Sequence, residues 1–386
     1  MERHYFDWAA TALPYPSIER DEAKNTFGNP SSPHTEGRMA REALENARSR
    51  CAKVLNVPAE CLYFTSGGTE SNALVIHSLL LRPKKVKFLY SAVEHPSVRE
   101  NCLVLEKLGF SPGVIEVEKD GRVSPDLLSK TLARNPDTRL AAIMAVNNET
   151  GAIMDMEKLS KVLRAKDGGD APLGPPIHFH SDLVQTVGKI PLDIKGWDLD
   201  SASFSAHKLG GPRGIGLLYL KKPLEVLYNG GDQERGIRPG TENTSGALAL
   251  AACLEKYACP DALKLEQKKA KERWAHLIRS LKKNPRSLLI PEDRAEDDPR
   301  FSPWILQVRF TNVPGEVMVR ALDSEGFAVS TGSACSSSSP DRPVLSAMGL
   351  DDHARLEGIR ISQGWSTTLE DIDALLKGIE KVLAFL

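Results

Sequence analysis

A lysine flanked by a histidine and two glycines is the first feature of the sequence that points to chemistry. The stretch S-A-H-K-L-G-G-P (205–212) follows a short apolar run that resembles a strand. A lysine there, Lys208, is a usable nucleophile toward a carbonyl cofactor if its amine is desolvated or lies near other cations. Upstream, Asp182 and Gln185 end another strand-like run, and an aspartate in that place can keep the ring nitrogen of pyridoxal phosphate (PLP) protonated. Together the two signals predict a PLP enzyme.

A glycine turn between a strand and a helix is a candidate phosphate site. In F-T-S-G-G-T-E-S-N (64–72) the turn includes Gly68, and Thr69 adds a hydroxyl. Backbone N–H groups at a helix start bind anions, and the helix dipole helps them. Ser205 and His207 are further candidates for the same phosphate. The alternative interpretation is an ordinary strand-to-helix turn.

Three other segments carry candidate residues. His95 follows a predicted strand and could lie over a cofactor ring, although a lone histidine is more often structural. Asn148, in N-N-E-T-G (147–151), sits at the strand edge where open α/β sheets bind ligands, although polar residues there are also normal loop formers. Cys335 lies among small residues, which predicts an exposed, flexible loop with a reactive thiol. Its alternative is an incidental thiol in a Ser/Gly linker.

The elements that must position these residues follow an alternating pattern. Short β-branched runs alternate with helical patterns, which is typical of a parallel sheet with crossover helices. Apolar residues at helical spacing from Ala40 to Leu55 predict a helix with one buried face. The predicted strands are 86–90, 113–117, 140–146, 177–181, 201–205, 216–220 and, further on, 305–310.

Length and composition predict two domains. A chain of 386 residues exceeds what one hydrophobic core usually supports. The amino-acid composition changes after residue 259, where a predicted Lys-rich helix carries Trp274 and Leu277 on one face. We place the boundary near residue 255, with a large domain at 14–255 and a small domain formed by 1–13 and 256–386. Residues 166–176 are predicted to be a loop.

Charge and cysteine usage exclude several classes of protein. The formal net charge of -1 argues against a general nucleic-acid or membrane-surface binder. Apolar runs fall short of the roughly 20 residues that span a bilayer, and the N-terminus shows no secretory signal. The six cysteines have neither zinc-ligand spacing nor the density of a disulfide scaffold, so no metal site and a cytoplasmic location are predicted. Cys51, Cys102 and Cys253 are predicted to be small core residues.

In all these motifs the sequence resembles cysteine desulfurases of the nitrogen-fixation and iron-sulfur-cluster type. They form part of the class V aminotransferase group of fold-type I PLP enzymes. The resemblance implies a large domain with a mostly parallel seven-stranded sheet covered by helices, and a smaller α+β domain. The matching stretches, in family order, are F-G-N-P-S-S-P-H (27–34), T-S-G-G-T-E-S-N (65–72), E-H-P-S-V (94–98), V-N-N-E-T-G (146–151), H-S-D-L-V-Q-T-V-G-K (180–189), S-F-S-A-H-K-L-G-G-P-R-G-I-G (203–216), R-P-G-T-E-N (238–243) and S-T-G-S-A-C-S (330–336).

The resemblance also implies a role for each candidate residue. Lys208 would bind PLP covalently, and Cys335 would carry the persulfide. Asn148 and Arg360 would hold the substrate carboxylate, because a guanidinium gives a planar, two-pronged fit. The cofactor contacts would be Asp182 at the ring nitrogen, Gln185 at the ring hydroxyl oxygen, His95 stacked on the ring as a proton shuttle, Gly68, Thr69, Ser205 and His207 at the phosphate, and Thr241 reaching that phosphate from a second subunit.

The predicted function is PLP-dependent removal of sulfur from L-cysteine, giving L-alanine and a persulfide on Cys335. The implied partners are a homodimer mate and a persulfide-accepting protein, either an iron-sulfur scaffold or a tRNA-thiolation enzyme, with no direct nucleic-acid contact. One alternative is a selenocysteine lyase, or another PLP-dependent lyase or aminotransferase of the same fold. The other is a non-catalytic binding protein, which the presence of Lys208, Asp182 and Cys335 disfavours.

Overall fold

A seven-stranded sheet with helices packed against it forms the centre of the molecule. The computed structural model describes residues 3–14, 27–165, 176–332 and 341–386. The strands in these ranges are β1 (His4–Tyr5), β2 (Leu62–Thr65), β3 (Lys87–Ser91), β4 (Ser111–Ile115), β5 (Thr138–Ala142), β6 (His178–Asp182), β7 (Ser201–Ser205), β8 (Gly216–Leu220), β9 (Ser287–Ile290), β10 (Ile305–Phe310), β11 (Phe327–Ala328) and β12 (Gly358–Ser362).

The helices alternate with the strands of the central sheet and then dominate the C-terminal part. They are α1 (Thr35–Leu55), α2 (Gly68–His77), α3 (Pro96–Lys107), α4 (Pro125–Arg134), α5 (Met156–Ala165), α6 (Thr244–Tyr257), α7 (Pro260–Leu281), α8 (Gly315–Ser324), α9 (Pro343–Ala347), α10 (Asp352–Glu357) and α11 (Leu369–Phe385). In the described part of the chain, none of these helices is long and apolar enough to cross a membrane.

The central sheet is mostly parallel. Its strand order is β2-β8-β7-β6-β5-β3-β4. The pairs from β7 to β4 are parallel, whereas β8 runs antiparallel to both of its neighbours. These strands alternate with helices along the chain, which is the pattern that the sequence analysis used. The predicted fold class is confirmed.

Helix α1 shows how local sequence sets these elements. Its buried side includes Ala40, Leu44 and Cys51, which recur at helical spacing. His34 caps its start by accepting a hydrogen bond from the Gly37 N–H, and Asn56 ends it in the left-handed region at φ 54°. The predicted helix at 40–55 is therefore present and begins one turn earlier.

A second core is built mainly from the C-terminal part of the chain. Strands β9, β10 and β12 form an antiparallel sheet, and α7, α8 and α11 pack their apolar residues on it. Phe6 joins this core from the N-terminus, because β1 pairs in parallel with β11. The predicted boundary near residue 255 falls in the last turn of α6.

Most strand predictions agree with the structure, with two corrections. The strands at 201–205, 216–220 and 305–310 have the predicted bounds, whereas the predicted strand at 113–117 is shifted by two residues to β4. The predicted strand at 140–146 ends at Ala142, although the Ile143 and Ala145 N–H groups still bond to β6. Cys51, Cys102 and Cys253 are buried, as predicted, and none of the three forms a disulfide within the described residues. The predicted loop at 166–176 lies almost entirely outside the described residues.

Candidate active site

A cavity of 490 Å³ opens where several strands of the central sheet end. Its size is that of a site for a small organic ligand. The structure brings together most of the residues singled out in the sequence. Those that line the cavity are Gly68, Thr69, His95, Asn148, Asp182, Gln185, Ser205, His207, Lys208 and Arg360.

Lys208 lies on a short turn of 3₁₀ helix, Ala206–Leu209, directly after β7. Gly210 ends this turn at φ 78°, a left-handed conformation that favours glycine. The Lys208 Nζ donates hydrogen bonds to the carbonyl oxygens of Ala9 and Ala10, both at 2.7 Å. Burial, together with the neighbouring Lys208 ammonium, lowers the pKa of His207 to about 4, so this imidazole is neutral at physiological pH.

The glycine turn between β2 and α2 forms another part of the cavity wall. Gly67 adopts φ 156°, and helix α2 begins at Gly68. A Cβ atom at Gly68 would lie 2.7 Å from the Val184 Cγ2, so a side chain there would crowd the helix start. This helix start is open to the cavity, and its free N–H groups and dipole favour an anion.

Asp182 is the last residue of β6 and faces the cavity with its carboxylate anchored. Its Oδ1 accepts a hydrogen bond from the Val184 N–H at 2.9 Å, and its Oδ2 accepts one from the Asn72 Nδ2 at 2.8 Å. Gln185, three residues further on, donates from its Nε2 to the Ala9 carbonyl and accepts from the Lys189 Nζ at 2.5 Å. Both side chains are thus held in fixed orientations.

His95 precedes α3 and caps it. Its Nδ1 accepts a hydrogen bond from the Ser97 N–H at 3.1 Å and lies 2.8 Å from the Ser97 Oγ. Burial lowers the pKa of His95, while the charge on Asp182 acts in the opposite direction. A neutral imidazole with one nitrogen engaged by the protein is suited to moving a proton with the other.

The open side of the cavity is formed by parts of the chain that are distant in sequence. Arg360, on β12, is 2% exposed. One of its terminal nitrogens donates to Asp7 Oδ1 at 2.8 Å and the other to the Asn148 carbonyl at 2.9 Å. Its Nε is buried and has no partner among the described residues. Because Arg360 also lines the cavity, it places a guanidinium there, the side-chain group best suited to a carboxylate.

Two predicted site residues are not part of this cavity as described. Thr241 is exposed and does not line the cavity formed by the described residues. Cys335 lies outside the described residues, so its predicted exposed loop has no structural counterpart here. The described chain before it ends at Gly332, which packs against Glu149.

The sequence analysis missed the N-terminal segment of the site. Ala9, Ala10 and Thr11 line the cavity and contact Lys208, Gln185 and His207, while Asp7, just before them, contacts Arg360. The segment reads D-W-A-A-T and matches no motif that was recognised in the sequence. Its contacts are mostly backbone carbonyls, which every residue has, so the sequence offered no means of finding it.

Comparison with known proteins places this architecture in a family. The Aminotransferase class-V family model matches residues 4–375. The chain belongs to the class-V aminotransferases. The resemblance inferred from the sequence motifs is therefore confirmed.

Relatives of this class-V aminotransferase carry more specific names. A protein named "Cysteine desulfurase IscS" from Dictyoglomus turgidum is 38% identical over 98% of this chain and 94% of its own length. Another of that name, from Methanosarcina thermophila, is 34% identical over 92% and 85% of the two chains. A solved structure titled "NIFS-LIKE PROTEIN" matches with a TM-score of 0.89 at 33% identity, covering 100% of both chains. One titled "SspA in complex with cysteine" has a TM-score of 0.77 at 28% identity, over 93% and 98%.

The cavity fits PLP, the cofactor used by class-V aminotransferases. The side-chain-free helix start at Gly68 leaves room for a phosphate, and the anchored carboxylate of Asp182 is suited to a protonated ring nitrogen. Lys208 supplies the amine at the same cavity. An amine, a carboxylate and an open helix start therefore meet at one cavity.

Proposed function

We propose that this protein is a PLP-dependent cysteine desulfurase that converts L-cysteine to L-alanine and leaves a persulfide on Cys335. The observation that carries the proposal is the single cavity shared by Lys208, Asp182 and Arg360. It combines an amine, a carboxylate for a ring nitrogen and a guanidinium for an amino-acid carboxylate. The names of the relatives, "Cysteine desulfurase IscS" among them, support the choice of cysteine.

The cofactor would be held by residues already in place. Gly68, Thr69, Ser205 and His207 would bind its phosphate, Asp182 its ring nitrogen and Gln185 its ring hydroxyl oxygen. His95 would lie on the ring. When bound, PLP supplies an electron sink for charge that develops on the substrate carbons.

The protein's own residues would then bind the substrate and move protons. Arg360 would hold the substrate carboxylate, with Asn148 beside it. The Lys208 amine would remove the proton from the substrate α-carbon, and the His95 Nε2 would exchange protons with the substrate. The neutral state of His95, which its burial favours, suits that role.

Sulfur transfer would be carried out by Cys335. Its thiolate would attack the substrate sulfur, so that an S–S bond forms while the Cβ–S bond of the substrate breaks. The electron pair of the broken bond stays with the three-carbon fragment, which takes up protons and leaves as alanine. One thiol and one cysteine thus become one persulfide and one alanine, with atoms and electrons balanced.

The test uses Cys335→Ala. This variant should bind PLP normally but form no persulfide, and alanine release from cysteine should fall to background. Release from selenocysteine should fall less, because a selenolate leaves without a thiol acceptor. Cys61→Ala, which changes a partly exposed thiol near β2, is the matched control and should behave as the unaltered protein.

Mass spectrometry of the Cys335 peptide completes this test. A +32 Da sulfur adduct should appear there after turnover of cysteine. Undiminished alanine release by Cys335→Ala, or an adduct confined to Cys61, would refute the mechanism. Turnover of selenocysteine alone would favour the selenocysteine lyase alternative.

We further propose a homodimer in which Thr241 reaches the phosphate site of the partner. Thr241 is exposed at the surface of its own chain. Upstream, a buried ion pair of Arg48 with Glu234, at 2.7 Å, anchors the surface segment that carries it. Mixing Lys208→Ala subunits with Thr241→Ala subunits should give heterodimers with one intact site. Recovered activity on subunit exchange is expected, and no recovery would refute the shared site.

We also propose that the chain divides into domains at 14–255 and at 1–13 with 256–386. The second core, made of Phe6 and C-terminal residues, supports this division. A cytoplasmic location is supported by the five described cysteines, none of which forms a disulfide with another. The persulfide acceptor would be a protein, an iron-sulfur scaffold or a tRNA-thiolation enzyme.

A further inference from the structure

A buried asparagine beneath the cavity connects two of its residues. We propose that Asn72 is a positioning residue that anchors Asp182 and orients the Ser97 hydroxyl toward the His95 Nδ1, an inference whose meaning for the reaction rests on the proposed function. Asn72 lies in α2, is 0% exposed and, among the described residues, is not part of the cavity lining. It acts through hydrogen bonds alone.

Every hydrogen-bonding position of the Asn72 amide is used. Its Oδ1 accepts from the Ser203 Oγ at 2.5 Å and lies 2.9 Å from the His180 Nε2. Its Nδ2 donates to the Ser97 Oγ and to the Asp182 Oδ2, both at 2.8 Å. An amide has two acceptor lone pairs and two N–H donors, so these four partners saturate it. Turning the amide around would set its oxygen against the Asp182 carboxylate, which fixes the orientation.

The imidazole of His180 agrees with this orientation. Because the Asn72 Oδ1 can only accept, the His180 Nε2 must donate. The His180 Nδ1 then accepts from the Ser201 Oγ at 2.8 Å, and that hydroxyl in turn lies 2.7 Å from the His178 Nε2. Burial, and next the neighbouring His178, lower the pKa of His180 to about 3, so the ring is neutral with its proton on Nε2. The Ser201 hydroxyl thus donates to His180, and His180 in turn donates to Asn72.

The series of hydrogen bonds continues from Asn72 through Ser97 to His95, with each group donating to the next. The Ser97 Oγ accepts from Asn72, so its own proton is free to be donated to the His95 Nδ1 at 2.8 Å. The backbone N–H of Ser97, which can only donate, points to the same ring nitrogen at 3.1 Å. The His95 Nδ1 is therefore an acceptor. The ring proton of neutral His95 must lie on Nε2.

One side chain thus controls a carboxylate and an imidazole at the same cavity. Losing the Nδ2 of Asn72 removes one of the two donors to Asp182 and leaves the Ser97 hydroxyl free to turn away from His95. Hydrogen bonds to charged groups are worth more than neutral ones, so Asp182 is affected first. The effect on a reaction at the cavity should fall on kcat more than on KM, because neither residue is placed at the substrate carboxylate.

The test compares two identical changes in neighbouring helices. Asn72→Asp has nearly the same shape but replaces the Nδ2 donor with oxygen. Asn101→Asp is the control, because the Asn101 Nδ2 donates to the backbone carbonyl of Ser97 and touches neither Asp182 nor His95. We expect kcat to fall by about tenfold or more in Asn72→Asp, with a smaller change in KM, and to stay near its original value in Asn101→Asp.

Nitrogen NMR of the histidine rings in the full-length protein, with and without bound PLP, reads the tautomer directly. In the unaltered protein, His95 should carry its proton on Nε2, and its Nδ1 resonance should move in Asn72→Asp but not in Asn101→Asp. If Asn72→Asp does not fold, Ser97→Ala should still move the Nδ1 resonance of His95, because it removes the same hydroxyl donor.

Each outcome decides between the alternatives. A proton on the His95 Nδ1 in the unaltered protein would overturn the inference. So would unchanged kcat and ring resonances in Asn72→Asp, or an unchanged Nδ1 resonance in Ser97→Ala. Failure of the unaltered protein to release alanine from cysteine would instead refute the proposed function, while the tautomer measurement would still stand.

Discussion

Two sides of one cavity are constructed in different ways. We define the floor as Asp182, Ser205 and Lys208. These residues lie at or just after the ends of the adjacent strands β6 and β7. The rim, which we define as Asp7 and Arg360, joins residues 353 positions apart. The floor belongs to one continuous core, whereas the rim exists only because two sheets and the N-terminus meet.

This difference assigns separate tasks to the two sides. The backbone of the floor is set by the pairing of β6 with β7, and the side chains of Asp182 and Lys208 are each held by two hydrogen bonds, so the floor can present fixed groups to a cofactor. At the rim, the Asp7 carboxylate is paired with the Arg360 guanidinium. A substrate carboxylate that binds Arg360 would therefore compete with Asp7. We therefore expect changes in the floor to affect cofactor binding and kcat, and changes in the rim to affect KM for the amino acid.

The largest effect is expected at the floor. Lys208→Ala should lower alanine release by at least about 100-fold, because positioned proton transfer contributes on the order of 10²- to 10⁴-fold. The visible absorbance of bound cofactor should change, while the unfolding temperature should not fall. Lys222→Ala, an exposed lysine after β8, is the control. Unchanged absorbance and alanine release in Lys208→Ala would remove Lys208 from the floor's chemistry.

The next effect tests the rim. Arg360→Lys keeps a positive charge but loses the planar fork, so kcat/KM for cysteine should fall by about 10- to 100-fold, mainly through KM. Steady-state kinetics will measure the two constants. The control is Arg320→Lys on α8, whose side chain is 83% exposed. A loss confined to kcat would contradict the division of tasks between floor and rim.

Lowering the pH should lower the free energy of unfolding, because of a buried histidine on β6 next to the floor. Burial is the main cause that lowers the pKa of His178 to about 4, against a usual value near 6.5. Between these values the unfolded chain binds more protons than the folded one, so stability falls as pH falls from about 6.5 toward 4. At pH 5 this single histidine should cost about 2 kcal/mol relative to pH 8.

Denaturant unfolding of His178→Gln will isolate that contribution. Glu94, whose pKa burial raises to about 8, acts in the opposite direction, because the folded state binds the extra proton and stability falls as pH rises from about 4.5 to 8. It is present in both proteins and cancels in the comparison. The variant should lose about 2 kcal/mol less than the unaltered protein between pH 8 and pH 5, and an equal loss in both would contradict the assignment.

The floor could be predicted from the sequence far better than the rim. Strand 216–220, G-L-L-Y-L, was placed correctly because a short apolar run bounded by turn residues marks a buried strand. Strand 201–205, S-A-S-F-S, was placed correctly although three of its five residues are serines. The edge strand β4 was misplaced by two residues, because its bounds depend on pairing with β3 alone, which periodicity does not record. Asp182 and Lys208 were found because each directly follows or ends a strand.

The rim illustrates what remained hidden. Arg360 was found through family resemblance, but its partner Asp7 was not, since nothing in the sequence links residues 353 positions apart. Asn72 was missed for a different reason. It stands inside a recognised motif, yet its importance comes from four contacts that only the folded chain brings together.

The smallest effect we expect separates two possible roles of Asp7. Its carboxylate either only orients Arg360 or also competes with the substrate for it. Asp7→Asn keeps an oxygen that can accept the hydrogen bond from Arg360 but removes the negative charge. Because the Asp7 side chain is 23% exposed, solvent screens the pair, and its net strength is that of a weak ion pair, less than about 1 kcal/mol.

Competition predicts that KM for cysteine falls by about two- to fivefold in Asp7→Asn with kcat unchanged, which corresponds to that energy. The affinity for L-alanine, a product without sulfur, should rise by the same factor, because both ligands present the same carboxylate to Arg360. Titration of the cofactor absorbance with L-alanine measures this without any turnover. A rise in KM, together with weaker L-alanine binding, would show that Asp7 serves to orient Arg360. The rim would then, like the floor, present a group that the protein holds in a fixed orientation.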